Sequence, residues 1–264
     1  MTVKFCSLSS GSSGNAQYIE TDNTRILIDN GFSGKRLAEL LGSIDVCPHT
    51  LDAILVTHEH TDHIKGVGVM SRRYDIPIYG NANTWAGMEK KIGKIKEDNI
   101  KVFDTEDYID IKDIEVNPIH IFHDANEPVG YILRNGKVKI SIVTDTGWVN
   151  ANMTEKLKSS NLCLIESNHD TNMLKNGTYP WALKQRIAST RGHLSNDEAG
   201  MTLCETLAGN GEIVLLGHLS KDNNDPQVAH RTVKNHLNLR GIDTDRDITL
   251  DMTYRDKSTK VYCL

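Results

Sequence analysis

Short apolar blocks separated by turn-forming residues organise the first part of this chain. Residues 3–8, 17–20 and 24–29 read as strands, with Ser9-Ser10-Gly11-Ser12-Ser13-Gly14-Asn15 as the turn after the first. Residues 34–41 carry a helical pattern, and the run 51–56 reads as a buried strand. A mostly helical stretch follows to Glu97, broken by a short strand at 76–79. Strands then dominate at 101–104, 108–111, 114–120, 130–134 and 137–144. The last third alternates helix 148–157, strand 161–166, helix 195–208, strand 212–216 and helix 226–239, which has proline at its first position. Two halves, each rich in strands and followed by helices, suit two stacked sheets flanked by helices. No repeat, low-complexity segment or linker divides the chain, so residues 1–264 are expected to form one domain.

Composition narrows the class. With 38% hydrophobic and 25% charged residues the chain is ordinary for a globular protein. No run approaches the length of a membrane span and residues 1–11 lack the apolar stretch of a signal peptide, so a cytoplasmic protein with no membrane partner is expected. The five cysteines are scattered without a C-x-x-C pair and are expected to be buried free thiols. A net charge of −5 argues against a protein that coats nucleic acid non-specifically. A local positive groove is still allowed, because bound divalent ions would reverse the sign around them.

The chemistry concentrates where the 51–56 run ends, in Thr57-His58-Glu59-His60-Thr61-Asp62-His63. Residues two apart on an extended segment point the same way, so His58, His60 and Asp62 can project to one side. A chain turning into a helix at Asp62 would swing His63 away from the first pair, which suggests two metal ions rather than one. Other ligand types also stand where apolar strands run out: His123 after Ile119-His120-Ile121-Phe122, Asp145 after Ile140 to Thr144, and His218 after Ile213 to Gly217.

The H-x-H-x-D-H heptapeptide resembles the metallo-β-lactamase superfamily, whose ligands follow the same succession of motif, histidine, aspartate and histidine. The resemblance implies an α/β protein with the αββα sandwich fold, two stacked mixed β-sheets flanked by helices. It implies that His58, His60 and His123 hold one divalent ion and Asp62, His63 and His218 another. The Asp145 carboxylate then bridges the two, and Asp62 also bonds the bridging water or hydroxide that serves as nucleophile. Asp29, ending Ile26-Leu27-Ile28, resembles the superfamily's first-motif aspartate and is expected to orient the ligand loop. Histidine nitrogens with carboxylates suit Mn²⁺, Zn²⁺ or Fe alike.

The superfamily acts on lactams, thioesters and phosphodiesters, so the fold does not name the substrate. Arg191-Gly192-His193-Leu194-Ser195-Asn196-Asp197-Glu198 is more informative, because Ser195 and Glu198 form a capping box that places a helix start just after His193. Free amides there favour an anion such as phosphate, and His193 would be poised to contact a phosphate oxygen or protonate a leaving alkoxide. This H-x-S-x-x-E-A segment resembles the histidine-bearing loop of the RNase Z branch. The stretch from His123 to Asp145 is too short for that branch's tRNA-clasping arm, and the stretch from Asp145 to His218 is too short for the extra domain of β-CASP nucleases.

The fuller resemblance is to the compact YycJ/WalJ family, which shares the Ser7 to Asn15 loop, the histidine motif, His123-Asp124-Ala125, Glu166-Ser167-Asn168-His169-Asp170 and Gly192-His193-Leu194-Ser195. It implies a dinuclear phosphodiesterase, a DNA exonuclease acting 5′ to 3′, on a nucleic-acid substrate that is DNA before RNA. Asp62 and His193 are then the catalytic residues. His193, Ser195, Ser12 and Asn15 are candidate phosphate contacts, and His169, leaving a buried strand, is a candidate to line the substrate cleft. His120, alternating with apolar neighbours, is expected to be structural. A thioesterase or lactamase of glyoxalase II type is the alternative, since it shares the ligands but needs no phosphate-binding helix end. The sequence leaves oligomeric state open.

Overall fold

A computed structural model describes residues 2–264 of the chain. Its strands are β1 (Lys4–Ser9), β2 (Ala16–Glu20), β3 (Arg25–Ile28), β4 (Ala53–Leu55), β5 (Ile78–Asn81), β6 (Ile100–Phe103), β7 (Ile109–Ile111), β8 (Ile114–His120), β9 (Val129–Asn135), β10 (Val138–Val143), β11 (Leu162–Glu166), β12 (Ile213–Gly217), β13 (Thr249–Met252) and β14 (Tyr262–Cys263). They form two seven-stranded sheets, ordered β14-β1-β2-β3-β4-β5-β6 and β13-β12-β11-β10-β9-β8-β7. Each sheet is antiparallel through its hairpins and parallel from β3 to β6 and from β10 to β13.

The helices are α1 (Gly34–Gly42), α2 (Thr61–Ile64), α3 (Val67–Tyr74), α4 (Ala82–Ile92), α5 (Ala151–Leu157), α6 (Thr171–Asn176), α7 (Trp181–Ile187), α8 (Asn196–Thr206) and α9 (Pro226–Leu239). Alternation within the strands accounts for the layering. One set of side chains, including Phe5, Ile19, Ile28, Leu55, Tyr131, Ile142 and Leu164, meets between the sheets. The opposite set on the first sheet, including Leu27, Ile54 and Ile78, packs against Leu37, Met70 and Met88 of α1, α3 and α4. On the second sheet Ile165, Val214 and Leu216 pack against Leu203 and Val233 of α8 and α9. The result is the expected αββα sandwich.

Tyr131 shows how this core positions the ligand loop. Its ring is fully buried between the sheets and its hydroxyl donates to the Val56 carbonyl at 2.6 Å, while Val129 N donates to the Thr57 carbonyl at 3.0 Å. The second sheet thus grips the first at the residues preceding His58.

Several elements differ from the sequence expectation. β13 and β14 carry few apolar residues and are only partly buried, and α6 and α7 bury one residue and none, which leaves no periodic stripe to read. Helix α5 starts at Ala151 rather than 148, because Asn150 caps it by accepting from Met153 N. Among the cysteines only Cys6 and Cys163 are buried; Cys47 and Cys263 are exposed, on a short 3₁₀ turn's flank and on the edge strand β14. No helix among the described residues is long and apolar enough to cross a membrane.

Candidate metal centre

The site lies where parallel strands of both sheets run out, the usual location of a crevice in open α/β sheets. From the first sheet, β4 leads into the histidine loop and α2 starts after His60, whose backbone is extended. His58 and His63 are fully buried. His58 Nε2 lies 3.1 Å from His60 Nδ1, and the His58 ring centre is 4.0 Å from that of His63 and 5.1 Å from that of His123. Asp29 holds this loop from beneath: Oδ1 accepts from Thr57 N at 2.9 Å, and Oδ2 accepts from the Thr57 hydroxyl at 2.8 Å and from His63 Nδ1 at 2.7 Å. Because a carboxylate only accepts, His63 must carry its proton on Nδ1, which turns the Nε2 lone pair towards the site.

Chain crossings beneath the loop are tight. Gly31 N donates to the Asn15 carbonyl and Asn15 N to the Asp62 carbonyl. A Cβ at Gly31 would stand 1.8 Å from the Asp62 carbonyl oxygen, so only glycine fits.

From the second sheet come His123, Asp145, Glu166 and His218, with His193 from the loop before α8. Asp145 is central: its Oδ1 is 3.1 Å from His218 Nδ1 and 3.9 Å from His123 Nε2, and its Oδ2 is 3.3 Å from His63 Nε2. Asp29, Asp145 and His218 share an unusual backbone, with φ of 60°, 55° and 53°. Non-glycine residues rarely adopt this left-handed region, and such strain clusters at functional sites.

Glu166, fully buried at the end of β11, was not among the sequence candidates. Its Oε1 accepts from His193 Nδ1 at 2.8 Å and from His218 Nδ1 at 2.9 Å, and its Oε2 accepts from Thr146 N at 2.8 Å. It is a buried polar residue closing an apolar run, the same signal that marked Asp145 and His218. Burial alone would push the Glu166 carboxyl up, but the two imidazoles hold it below its ordinary range. For His193, burial pushes down and the Glu166 charge and hydrogen bond outweigh it, raising the imidazole to about 9. Burial, followed by the charge of His63, holds His58 well below the usual imidazole range.

Three sets of donor atoms converge closely enough to hold an ion: His58, His60 and His123; His58, His63 and Asp145; and Asp145, Glu166, His193 and His218. The fit has a second mark. Asp145 Oδ2 and His218 Nε2 are buried with no hydrogen-bond partner, an expensive state for polar atoms unless a cation completes them. Imidazole nitrogens with carboxylate oxygens are donors for a divalent transition ion.

Comparison with known proteins agrees with this geometry. Residues 24–219 match the family described as beta-lactamase superfamily domain. The chain is 39% identical over 261 residues to exodeoxyribonuclease YycJ of Bacillus anthracis, covering 99% of both chains. It is 40% identical over 258 residues to exodeoxyribonuclease WalJ of Streptococcus pneumoniae, covering 97% of this chain and 96% of the relative. This chain belongs to the YycJ/WalJ family of the metallo-β-lactamase superfamily. The fold is shared more widely. The metallo-β-lactamase fold protein YhfI from Bacillus subtilis superposes with a TM-score of 0.76 at 18% identity over all of both chains. The short form of human tRNase Z superposes with 0.61 at 19% identity, covering 84% of this chain and 93% of that one.

Within this YycJ/WalJ family member, the remaining sequence candidates are placed as follows. Asp62 opens α2 with its carboxylate 3.7 Å from His63 Nε2 and outside the three close donor sets. Asn15 is buried and its amide is engaged: Oδ1 accepts from Gly11 N at 2.9 Å, and Nδ2 lies 3.0 Å from His63 Nε2, a contact that an ion at His63 would displace. Ser195 is likewise engaged, its hydroxyl donating to Glu198 Oε2 at 2.7 Å in the capping box. The Ser195 hydroxyl proton is therefore committed to Glu198, whereas the Asn15 amide keeps one hydrogen for a ligand once an ion takes its place at His63.

Ser12 is exposed and, with His123, Asp124, Arg186 and His193, lines a cavity of about 230 Å³. Arg186 Nε donates to Asp124 Oδ2 at 2.7 Å across its mouth, and α7 roofs it. His169 is buried behind the site, facing a separate apolar groove beneath α6 and α7 rather than that cavity. His120, expected to be structural, is exposed at the end of β8, where its ring meets Phe122 edge-on.

Proposed function

We propose that this protein is a dinuclear phosphodiesterase that removes nucleotides from DNA, and the 5′ to 3′ direction is part of the proposal. The observation that carries it is the Glu166–His193 pair opening onto a polar cavity beside the ligand cluster. A thioester hydrolase expels a thiolate and has no need of a proton donor held there, whereas expulsion of a sugar alkoxide does. Names of the relatives, exodeoxyribonucleases, support the choice of DNA.

His58, His60 and His123 would hold one ion and Asp62, His63 and His218 the other, with Asp145 between them. Bound divalent ions supply Lewis acidity towards a phosphoryl oxygen and lower the pKa of a bound water. Asp29 fixes the His63 tautomer, and Glu166 fixes that of His218, so each ring presents Nε2 to the cluster. His123 Nδ1 faces the Gly192 carbonyl at 3.4 Å, which leaves its Nε2 free likewise. His193, oriented through Nδ1, keeps Nε2 for the substrate and delivers its proton to the departing oxygen.

The test is digestion of 5′- and 3′-labelled single- and double-stranded DNA by protein reconstituted with Mn²⁺ or Zn²⁺, beside thioester and lactam substrates. His193→Ala should retain its metal while DNA turnover falls by roughly 10²- to 10⁴-fold. Loss of metal in that variant, or turnover of thioesters in place of DNA, would overturn the proposal.

A further inference from the structure

Trp85 is buried, whereas Trp148 and Trp181 are 48% and 69% exposed. An exposed indole offers a flat π face to a ligand. Trp148 differs from Trp181 in being fixed relative to the metal centre. It stands three residues beyond Asp145, and its ring lies against Phe122, the residue before His123, with centroids 4.9 Å apart and planes at 51°.

Backbone bonds lock the two segments together. Phe122 N donates to the Thr146 hydroxyl at 3.1 Å, that hydroxyl donates to the Trp148 carbonyl at 2.8 Å, and Gly147 N donates to the Phe122 carbonyl at 2.9 Å. Phe122 itself packs on Ile119, Ile121 and Val143. Two rings are therefore held in constant relation to two residues of the centre, with the indole half open to solvent. One cation stands on the same segment: Arg191 donates to the His123 carbonyl through Nε and Nη2 at 3.3 and 3.2 Å. An aromatic shelf beside positive charge suits a base and its phosphate better than a purely apolar ligand.

We infer that Trp148, backed by Phe122, is a stacking platform for an unpaired base of the DNA strand whose backbone lies at the metal centre. This rests on the reading of the centre as a DNA phosphodiesterase. Every nucleobase has a π face, so the contact adds affinity without selecting sequence, and it orients the nucleotide beside the bond to be cut. Trp148 is thus a positioning residue.

The experiment compares a short oligothymidylate with an oligomer of equal length whose deoxyriboses carry no base. Trp148→Ala should raise KM for oligothymidylate by about tenfold with kcat unchanged, and Trp148→Phe should stay near wild type. On the baseless oligomer all three proteins should behave alike. Independently, oligothymidylate should quench the indole fluorescence of zinc-loaded His193→Ala protein, and the quench should disappear when Trp148→Phe is added. Equal KM values in a wild type that does cut DNA, or an equal loss on both oligomers, would overturn the platform and leave the nuclease reading standing. A wild type inert on both oligomers would overturn both.

Discussion

Glu166 receives His193 and His218 on a single oxygen, Oε1, at 2.8 and 2.9 Å. One buried carboxylate thereby sets the orientation of the proposed proton donor and of a proposed metal ligand. Because each imidazole donates through Nδ1, the two Nε2 atoms are committed to different tasks by the same group.

Glu166→Gln keeps the shape and removes the charge. Its amide cannot accept from both rings as strongly, so His193 loses its raised proton affinity. DNA turnover at saturating metal should fall on the order of 10²-fold, and metal affinity should weaken by about 10–100-fold because His218 loses its support, as read by steady-state kinetics and indicator competition. A variant of wild-type activity would remove Glu166 from the mechanism.

Asp29 is buried beneath the ligand loop, where it accepts from Thr57 N, the Thr57 hydroxyl and His63 Nδ1. Asp29→Asn should weaken metal affinity by about 10–100-fold through loss of ring orientation. Competition with a chelating indicator measures this directly. Unchanged affinity would mean that the loop holds His63 without help.

Metal removal should be visible in stability. Ions that bind only the folded chain, present at about 100 times Kd, contribute roughly 2.7 kcal/mol per site. A chelator should therefore lower the thermal midpoint and added Mn²⁺ or Zn²⁺ should restore it. A midpoint indifferent to both would contradict a metal centre at these histidines.

Gly31→Ala introduces a Cβ 1.8 Å from the Asp62 carbonyl oxygen. Backbone must move to relieve that clash, at a cost of about 1–3 kcal/mol. Urea unfolding should report the loss, and because the displaced segment carries Asp62 and His63, metal affinity should drop with it. An alanine variant as stable as wild type would show that the crossing is looser than described.

Much of the centre is legible in the chain because its ligands sit at strand ends, where an apolar run stops on a polar residue. His58, His123, Asp145 and His218 are marked in that way, and the structure brings them together. Glu166 carries the same mark but reads as a strand's last residue, since nothing local reveals that two imidazoles from distant loops converge on it. Asn15 and Ser195 have the composition of phosphate binders, but much of their hydrogen-bonding capacity is taken up by Gly11 and Glu198. Such consumption is a tertiary fact. The roof helices α6 and α7 escape detection for a related reason: with almost nothing buried they have no apolar period, and their place is set by contacts such as Lys184 to the Gly177 carbonyl.

His58, His60 and His63 belong to the first sheet, whereas His123, Asp145, Glu166 and His218 belong to the second. During folding, a chain with only one sheet formed offers three imidazoles without the central carboxylate, or the carboxylate without those imidazoles. The two donor sets that include His58 draw on both sheets and are completed only when the sheets dock, so their geometry reports on correct assembly of the sandwich.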